Sequence, residues 1–451
     1  MFKLKNITSL VATLCCILVF SCKDEELPEQ GLIPSTSAQG NIENVTTLGG
    51  TKNESGQAVK KTADGGFIVL GFTQSMDGDV TNKNDESYDV WVLKYNADIE
   101  LEWQNTYGGS NDERGNDIIQ TQDGGYAITG FTFSNDGDIS INNGQEDFWV
   151  IKIDAQGNLV WEKTFGYSGI DTGISILQTN DGGYFVTGIL DVTASEGAGN
   201  TRNAQAQHAG GDYWALKLDQ SGTIQWSKYF GGLLTDTPFD AIQTEDNGFL
   251  MVGSSDSEDT DISNNKGSYD FWITKVSSTG VLQWEKSFGS TEIDEARAII
   301  KSGDGNYFIV GDTRGDNTDV STNLGAADVW LIKISPTGQL LWDKSYGGEN
   351  FDVGLAIATT NDDGFVICGS SRSASGNVTE NQGQNDAWVF KIDINGSLKW
   401  QQAVGGSDVD FAYSVVELEN GTVILVGESS SNDFDITENK GFTDLLLIEI
   451  K

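Results

Sequence analysis

The chain contains few of the residues that most enzymes use for catalysis. It has one histidine, His208, in 451 residues, so a zinc site built from several histidines is excluded. A Ser-His-Asp triad would have to use that same residue. His208 stands in the polar stretch "GNTRNAQAQHAGGDYW", where we expect an exposed loop.

Cysteine is nearly as scarce, because the chain has four in total. Cys15 and Cys16 lie in the apolar N-terminal run, and Cys22 follows it. Only Cys368 remains, inside the apolar segment "FVICG". We therefore predict no disulfide, and a buried free thiol that behaves as a small hydrophobic residue.

Basic residues are outnumbered, with 27 Lys and Arg against 67 Asp and Glu and a formal charge of −40. Nucleic acid is a poor partner for such a chain, since phosphate binding depends on basic patches. The acidity favours solubility and is compatible with bound cations.

Tryptophan, by contrast, recurs at fixed intervals. Successive members of each of two sets are 58 residues apart, with one gap of 65. A period of this size indicates repeated supersecondary units. The two sets are Trp91, Trp149, Trp214, Trp272, Trp330 and Trp388, and Trp103, Trp161, Trp226, Trp284, Trp342 and Trp400. We predict that the second set packs between neighbouring units, because aromatic rings bury large areas.

Each unit contains four short apolar or alternating segments separated by Gly, Asn and Asp turns. In the second unit these segments are "NDIIQT" (116–121), "YAITGFT" (126–132), "DFWVIKID" (147–154) and "LVWEKTFG" (159–166). This pattern predicts hairpins, and four antiparallel strands per repeat are typical of a β-propeller blade.

The number of turns predicts seven blades. The chain ends at "TDLLLIEIK", which aligns with the third strand of a blade, while "NIENVTTLGG" (41–50) aligns with a fourth strand. We therefore predict an all-β, seven-bladed propeller over residues 41–451, whose N-terminal strand completes the last blade. Such closure removes exposed sheet edges. Asn44 stands at the Trp position of that strand, so the closing seam should be less regular.

The stretch "TYGGSNDERGNDIIQTQDGGYAITGFT" (106–132) resembles the SBBP repeat of bacterial seven-bladed propellers. The resemblance covers about residues 41–451 and implies the same fold. It says almost nothing about function, because propellers carry many activities.

The first 21 residues have the pattern of a signal peptide, with Lys3 and Lys5 before an apolar run. "LVFSC" resembles a bacterial lipobox, which implies cleavage before Cys22 and lipidation of that residue. Residues 22–40 read as a flexible tether. "CKDEE" (22–26) resembles the export signal of Bacteroidota surface lipoproteins, which implies an outer-membrane anchor facing the exterior. An ordinary signal peptide and a merely acidic tether are the alternatives.

Two acidic features recur on the face that we expect the long loops to form. One acidic residue precedes the innermost strand of each blade, and together they should ring the mouth of the channel: Glu54, Glu113, Asp171, Asp236, Asp294, Asp352 and Asp410. Such carboxylates either accept backbone N–H bonds or bind a cation or basic ligand group.

The second feature is an Asp-x-Asp element in the loop between strands two and three. Its candidate calcium ligands are Asp77, Asp79, Asp136, Asp138, Asp259 and Asp261. Oxygen-rich loops can hold calcium, although Asp, Asn and Gly also form turns without a metal. The third blade departs from this pattern with a longer loop (191–212) that contains Arg202 and His208, which we regard as either a ligand loop or a tolerated insertion.

These features favour a non-catalytic surface module that binds or scaffolds protein or glycan. A carbohydrate-active enzyme with a carboxylate pair on the long-loop face is one alternative. A structural subunit of an outer-membrane assembly is another. Calcium is the only cofactor that the sequence suggests.

Overall fold

Seven-residue and eight-residue strands, joined by tight turns and longer loops, make up the described part of the chain. The computed structural model describes residues 38–198 and 210–451, and these contain strands and no helix. The turns follow from local chemistry. In the first, Gly65 adopts a φ of 86°, which glycine tolerates without strain, and the carboxylate of Asp64 accepts a bond from the Gly66 amide at 3.0 Å.

The strands form seven four-stranded antiparallel sheets. The first strand, β1, is Ile42–Leu48. Blade one contains β2 (Glu54–Lys61), β3 (Phe67–Thr73), β4 (Asp89–Tyr95) and β5 (Leu101–Tyr107); blade two contains β6 (Glu113–Gln120), β7 (Tyr126–Thr132), β8 (Asp147–Ile153) and β9 (Leu159–Phe165); blade three contains β10 (Thr172–Gln178), β11 (Tyr184–Leu190), β12 (Asp212–Leu218) and β13 (Ile224–Phe230).

The same order continues through the rest of the chain. Blade four contains β14 (Asp236–Gln243), β15 (Phe249–Ser255), β16 (Asp270–Val276) and β17 (Leu282–Phe288); blade five contains β18 (Asp294–Lys301), β19 (Tyr307–Thr313), β20 (Asp328–Ile334) and β21 (Leu340–Tyr346); blade six contains β22 (Asp352–Thr359), β23 (Phe365–Ser371), β24 (Asp386–Ile392) and β25 (Leu398–Val404); blade seven contains β26 (Asp410–Glu417), β27 (Val423–Ser429) and β28 (Asp444–Ile450). The fold is therefore the predicted seven-bladed propeller.

The N-terminal strand closes the ring, as predicted. β1 pairs with β28 in an antiparallel register that runs from Ile42 opposite Ile450 to Leu48 opposite Leu445. Asn41 and Lys451 exchange two further backbone hydrogen bonds. Blade seven is thus built from both ends of the sequence.

Residues 38–40 are also part of the closing blade. The indole of Trp400 donates to the Ala38 carbonyl at 2.8 Å and packs against Gly40. In the same way, Trp226 of blade three donates to the Ser278 carbonyl, which lies in the hairpin turn between strands three and four of blade four. The segment before β1 therefore takes the place of the turn that joins strands three and four elsewhere. Ala38 and Gly40 thus contact the propeller although they precede residue 41.

The two tryptophan sets have different environments. The inner set is almost fully buried, and Trp91, Trp272, Trp330 and Trp388 are 0 % exposed. The outer set is half-buried, and Trp103, for example, contacts Gly157 in the next blade. This confirms the predicted packing between blades. Each hydrophobic cluster likewise joins residues of two adjacent blades.

A buried lysine stands opposite each outer tryptophan in the first six blades and pairs with an aspartate of the first tight turn. The Nζ–carboxylate distances are 2.7–3.0 Å for Lys94 with Asp64, Lys152 with Asp123, Lys217 with Asp181, Lys275 with Asp246, Lys333 with Asp304 and Lys391 with Asp362. In blade seven, other residues replace the lysine and the outer tryptophan. Glu449 stands at the lysine position and faces Asn44, which donates to it at 3.0 Å. The closing seam therefore differs from the others at both of these facing positions.

No helix among the described residues has the length and apolar character needed to span a membrane.

Candidate functional site

The Asp-x-Asp loops bind the backbone at the entry to their own blades. In blade one, Asp77 accepts the Thr51 amide at 2.8 Å and Asp79 accepts the Gly49 amide at 3.0 Å. Asp136 and Asp138 make the equivalent bonds in blade two, at 2.7 and 3.1 Å, and Asp259 and Asp261 do so in blade four, at 2.9 and 3.2 Å. These carboxylates have a structural role that needs no metal.

Within residues 38–198 and 210–451, no three acidic, histidine or cysteine side chains are grouped so that they could hold a metal ion. Calcium binding by the Asp-x-Asp loops stays a prediction.

The seven acidic residues of the predicted ring are all 0 % exposed. Each lies at the start of its innermost strand and accepts an amide from the connection that precedes it, as Gly109 donates to Glu113 at 2.7 Å and Gly406 donates to Asp410 at 2.7 Å. Hydroxyl groups add further bonds, such as Ser431 to Asp410 at 2.8 Å. These contacts match the backbone-bonding alternative, and whether the ring also binds a ligand remains a prediction.

Burial raises the pKa of several of these carboxyl groups, because it disfavours the charged form. The pKa of Asp171 rises to about 6 and that of Asp236 to about 7, with burial as the largest cause in both. A neighbouring carboxylate from the previous blade, Asp147 or Asp212, raises each further.

Three predicted site residues fall outside the described chain. Arg202 and His208 lie in 199–209, and the lipidation candidate Cys22 lies in 1–37.

The innermost strand of every blade carries a β-bulge, which turns one extra side chain toward the central channel. In blade five, Ala296 pairs with Gly311 and Ala298 pairs with Val310, so Arg297 between them is the extra residue. Bulges often re-aim a side chain near a functional site. The seven bulge residues are Gln57, Asn116, Ile174, Phe239, Arg297, Leu355 and Tyr413, and all line a cavity of about 490 Å³.

The cavity has the volume of a small-ligand or side-chain pocket. The bulge positions are occupied by a different residue type in every blade, whereas the adjacent acidic positions are always Asp or Glu. The sevenfold sequence repeat is therefore lost at the bulge residues that line the channel.

A charged network crosses one side of this channel. Lys60 and Asp117 form an ion pair at 3.1 Å, and Ser175 donates to Asp240 at 3.1 Å while lying 3.5 Å from Asp117. The Asp117 carboxylate raises the pKa of Lys60. Burial raises the pKa of Asp240 to about 6, although Lys60 opposes the shift.

Both carboxylates of the network also tie blades together. Asp117 accepts the Ile176 amide at 3.1 Å, and Asp240 accepts the Ile299 amide at 3.0 Å, each from the following blade. Two carboxyl groups in one cavity, one of them with a raised pKa, are components that acid–base chemistry uses. Their bonds to the backbone give them a second, purely structural role.

The channel also combines an aromatic ring with a guanidinium group. Arg297 lies over the ring of Phe239 at 4.2 Å and pairs with Glu295 at 3.1 Å. Ile174 and Leu355 add apolar surface beside them. The sequence analysis did not predict the residues that line this channel. The residue three places after each acidic residue of the ring (each ring acid) differs in every blade and could have indicated them.

Fold and channel together define an all-β, seven-bladed propeller with a ligand-sized cavity on its axis. No protein-family model matches the chain, so the SBBP resemblance and the Bacteroidota lipoprotein type stay predictions. The regulatory protein FlaEY of Caulobacter vibrioides is 22% identical over 240 residues, which are 48% of this chain and 25% of that protein. The chain thus matches only a quarter of this relative.

Solved structures of similar architecture are distant in sequence. The WD40 domain of Neurospora crassa Pan2 is 8% identical, with a TM-score of 0.47, and the match covers 91% of this chain and 96% of that one. BBS1N in complex with ARL6DN is also 8% identical, with a TM-score of 0.47 and coverage of 92% and 97%.

Proposed function

We propose that the protein is a lipid-anchored cell-surface module that binds a partner protein without catalysis, and that a segment of the partner enters the central channel. The observation that carries the proposal is the set of seven bulge residues, which differ in every blade on a framework that otherwise repeats. A rigid scaffold that presents variable side chains is a common basis of specific binding.

The channel chemistry favours a protein segment over a glycan. Phe239, Ile174 and Leu355 offer apolar contacts, and Arg297 and Asp240 offer one charge of each sign. Aromatic and arginine side chains at the centre of an interface often dominate binding energy. A glycan is the alternative ligand class.

We expect Phe239→Ala and Arg297→Ala each to weaken partner binding about tenfold or more, which corresponds to about 1.4 kcal/mol or more. Capture of surface proteins by the purified full chain, followed by titration with the captured partner, measures this. Val160→Ala is the control, because Val160 is 58% exposed on the outermost strand of blade two. Equal loss in all three variants would contradict a channel site.

A glycan-active enzyme is the second candidate, and the Asp117–Ser175–Asp240 network favours it. The carboxyl group with the raised pKa, Asp240, would serve as the acid. A further variant, Asp240→Asn, separates the functions. Glycan hydrolysis that is lost in Asp240→Asn and kept in Val160→Ala would replace the binding proposal with an enzyme.

The surface location rests on the N-terminal sequence. We expect Cys22→Ala to abolish incorporation of a radiolabelled fatty acid and to release the protein from the membrane fraction, because a thiol is needed for the lipid. Protease treatment of intact cells should degrade the anchored wild-type protein. Full labelling of Cys22→Ala, or complete protection from protease, would contradict the anchor or its outward orientation.

A further inference from the structure

Two buried carboxylates meet at every contact between consecutive blades. One comes from the first residue of the third strand, and the other is the ring acid of the next blade. These junction pairs are Asp89 with Glu113, Asp147 with Asp171, Asp212 with Asp236, Asp270 with Asp294, Asp328 with Asp352, Asp386 with Asp410 and Asp444 with Glu54.

A glycine separates the two blades at each pair, and both carboxylates crowd the same side of its Cα atom. A Cβ atom on Gly166 would lie 2.3 Å from Asp147 Oδ1 and 3.1 Å from Asp171 Oδ2. On Gly405 the distances would be 2.8 Å to Asp386 Oδ1 and 2.7 Å to Asp410 Oδ2. Two anionic groups so placed repel each other unless a positive charge or a proton lies between them.

The chain supplies a hydrogen-bond donor at two junctions. The Lys83 ammonium, whose side chain is 0% exposed, lies 3.0 Å from Asp89 Oδ1. The Gly441 amide donates to Asp444 Oδ1 at 3.2 Å. A third junction has a nearby lysine, Lys266, which lies 3.9 Å from Asp270.

Asp212, at a fourth junction, has another interaction partner, and the remaining three junctions have no such donor. The Oδ1 atoms of Asp147, Asp328 and Asp386 are buried and have no hydrogen-bond donor in good geometry among the described residues, although the nearby Gly144 and Gly325 amides oppose the rise in the pKa of Asp147 and Asp328. The position occupied by Lys266 or Lys440 in other blades holds Asn143, Leu324 or Gln382 here. Each of these junctions therefore has one buried carboxylate oxygen that lacks a hydrogen-bond donor, and one added hydrogen would satisfy it.

We propose that the Asp147–Asp171, Asp328–Asp352 and Asp386–Asp410 pairs each bind one proton, which sits on Oδ1 of the third-strand aspartate and is donated to the ring carboxylate. The proton reduces the repulsion between the two carboxylates at these junctions, as the Lys83 ammonium does between blades one and two. Folding therefore takes up a proton at each of the three.

The surrounding charges agree with this. Burial is the largest cause that raises the pKa of Asp147, and it raises the pKa of Asp328 and Asp386 to about 6. Burial also raises the pKa of the ring acid Asp171 to about 6. Neighbouring acidic groups raise the pKa further: Asp191 beside Asp171, Asp435 and Glu380 beside Asp386, and Asp408 beside Asp410.

The sign of the pH dependence follows from linkage. A carboxyl group whose pKa is about 6 when folded and about 4 when unfolded holds more protons in the folded state between these values. Its contribution to stability is complete below the unfolded pKa and is lost as the pH rises through the folded pKa.

Asparagine is the decisive substitution, because its NH₂ group can donate from the position of Oδ1. We expect Asp147→Asn, Asp328→Asn and Asp386→Asn, singly and combined in the full chain, to raise the urea midpoint at about pH 8. The urea midpoint of these variants should also fall less between about pH 5 and pH 8 than the wild-type midpoint does. About one fewer proton should be released on unfolding for each substituted junction. The infrared band of protonated carboxyl groups should weaken in parallel.

Asp89→Asn is the matched control. It should lower the midpoint at both pH values, because Lys83 would keep its buried charge and lose one of its two carboxylate partners, with only Asp85 remaining. The measurements are repeated with EDTA and with calcium. The proposal is overturned if the three junction variants lose stability at both pH values, or if calcium raises the wild-type midpoint and the variants abolish that effect, since a metal ion would then occupy the junctions.

Discussion

Deleting residues 38–48 is expected to open the ring and to destabilise the whole propeller. The deletion removes β1, its ladder with β28 and the cap on Trp400. At roughly 1 kcal/mol for each backbone hydrogen bond, the loss is about 5 kcal/mol or more, which is comparable to the total stability of many domains. We expect urea unfolding at a much lower concentration, or an aggregated product.

Aggregation would have a specific cause. Without β1, the strand Asp444–Ile450 becomes an unpaired edge, and such edges pair with other chains. Five of its seven residues are Leu or Ile, which adds to the hazard.

A synthetic peptide of residues 38–48 should restore the midpoint when it is added to the deleted chain, because it can supply β1 in trans. Deletion of residues 23–33, in the predicted tether, is the control and should leave the midpoint unchanged. A deleted chain that unfolds at the wild-type urea concentration would mean that β1 does not hold the ring closed.

The architecture was predictable from the sequence because each blade is specified locally. Tight turns, alternating strands and two tryptophans recur in register, so the blade count and the strand borrowed for closure could be read directly. The starting point of the packed chain was less predictable. Gly40 and Ala38 contact Trp400, which lies 360 or more residues away in the sequence.

The acidic positions were predictable, but their environments were not. A repeated Asp or Glu does not reveal whether its oxygens face solvent, an amide or another carboxylate. That depends on the preceding blade, as Asp171 shows by its position beside Asp147. The junction pairs could therefore not be predicted from a single repeat.

The channel residues come together only when the ring closes. Lys60, Asp117 and Asp240 belong to blades one, two and four, and no spacing in the sequence joins them. A local signal for the bulge did exist. The second strand of every blade contains a glycine, as in "YFIVGDT" (307–313), and glycine inside a strand often marks a bulge or a close backbone approach.

Gly311→Ala is expected to lower the free energy of unfolding by about 3 kcal/mol, at the upper end of typical overpacking losses. A Cβ atom at this position would lie 1.9 Å from the Glu295 carbonyl oxygen. That atom belongs to the backbone of the innermost strand, so no side-chain rotation can relieve the clash. The bulge around Arg297 must shift, and partner binding through the channel should weaken together with stability.

Gly303→Ala is the control in the same blade, because no heavy atom lies within 4 Å of a Cβ added there. Its unfolding free energy should change by about 0.5 kcal/mol or less, with partner binding unchanged. Urea unfolding of both variants gives the comparison. If Gly311→Ala unfolds like Gly303→Ala, the bulge adapts at little cost, and the close approach of the two innermost strands does not fix the direction of the channel side chains.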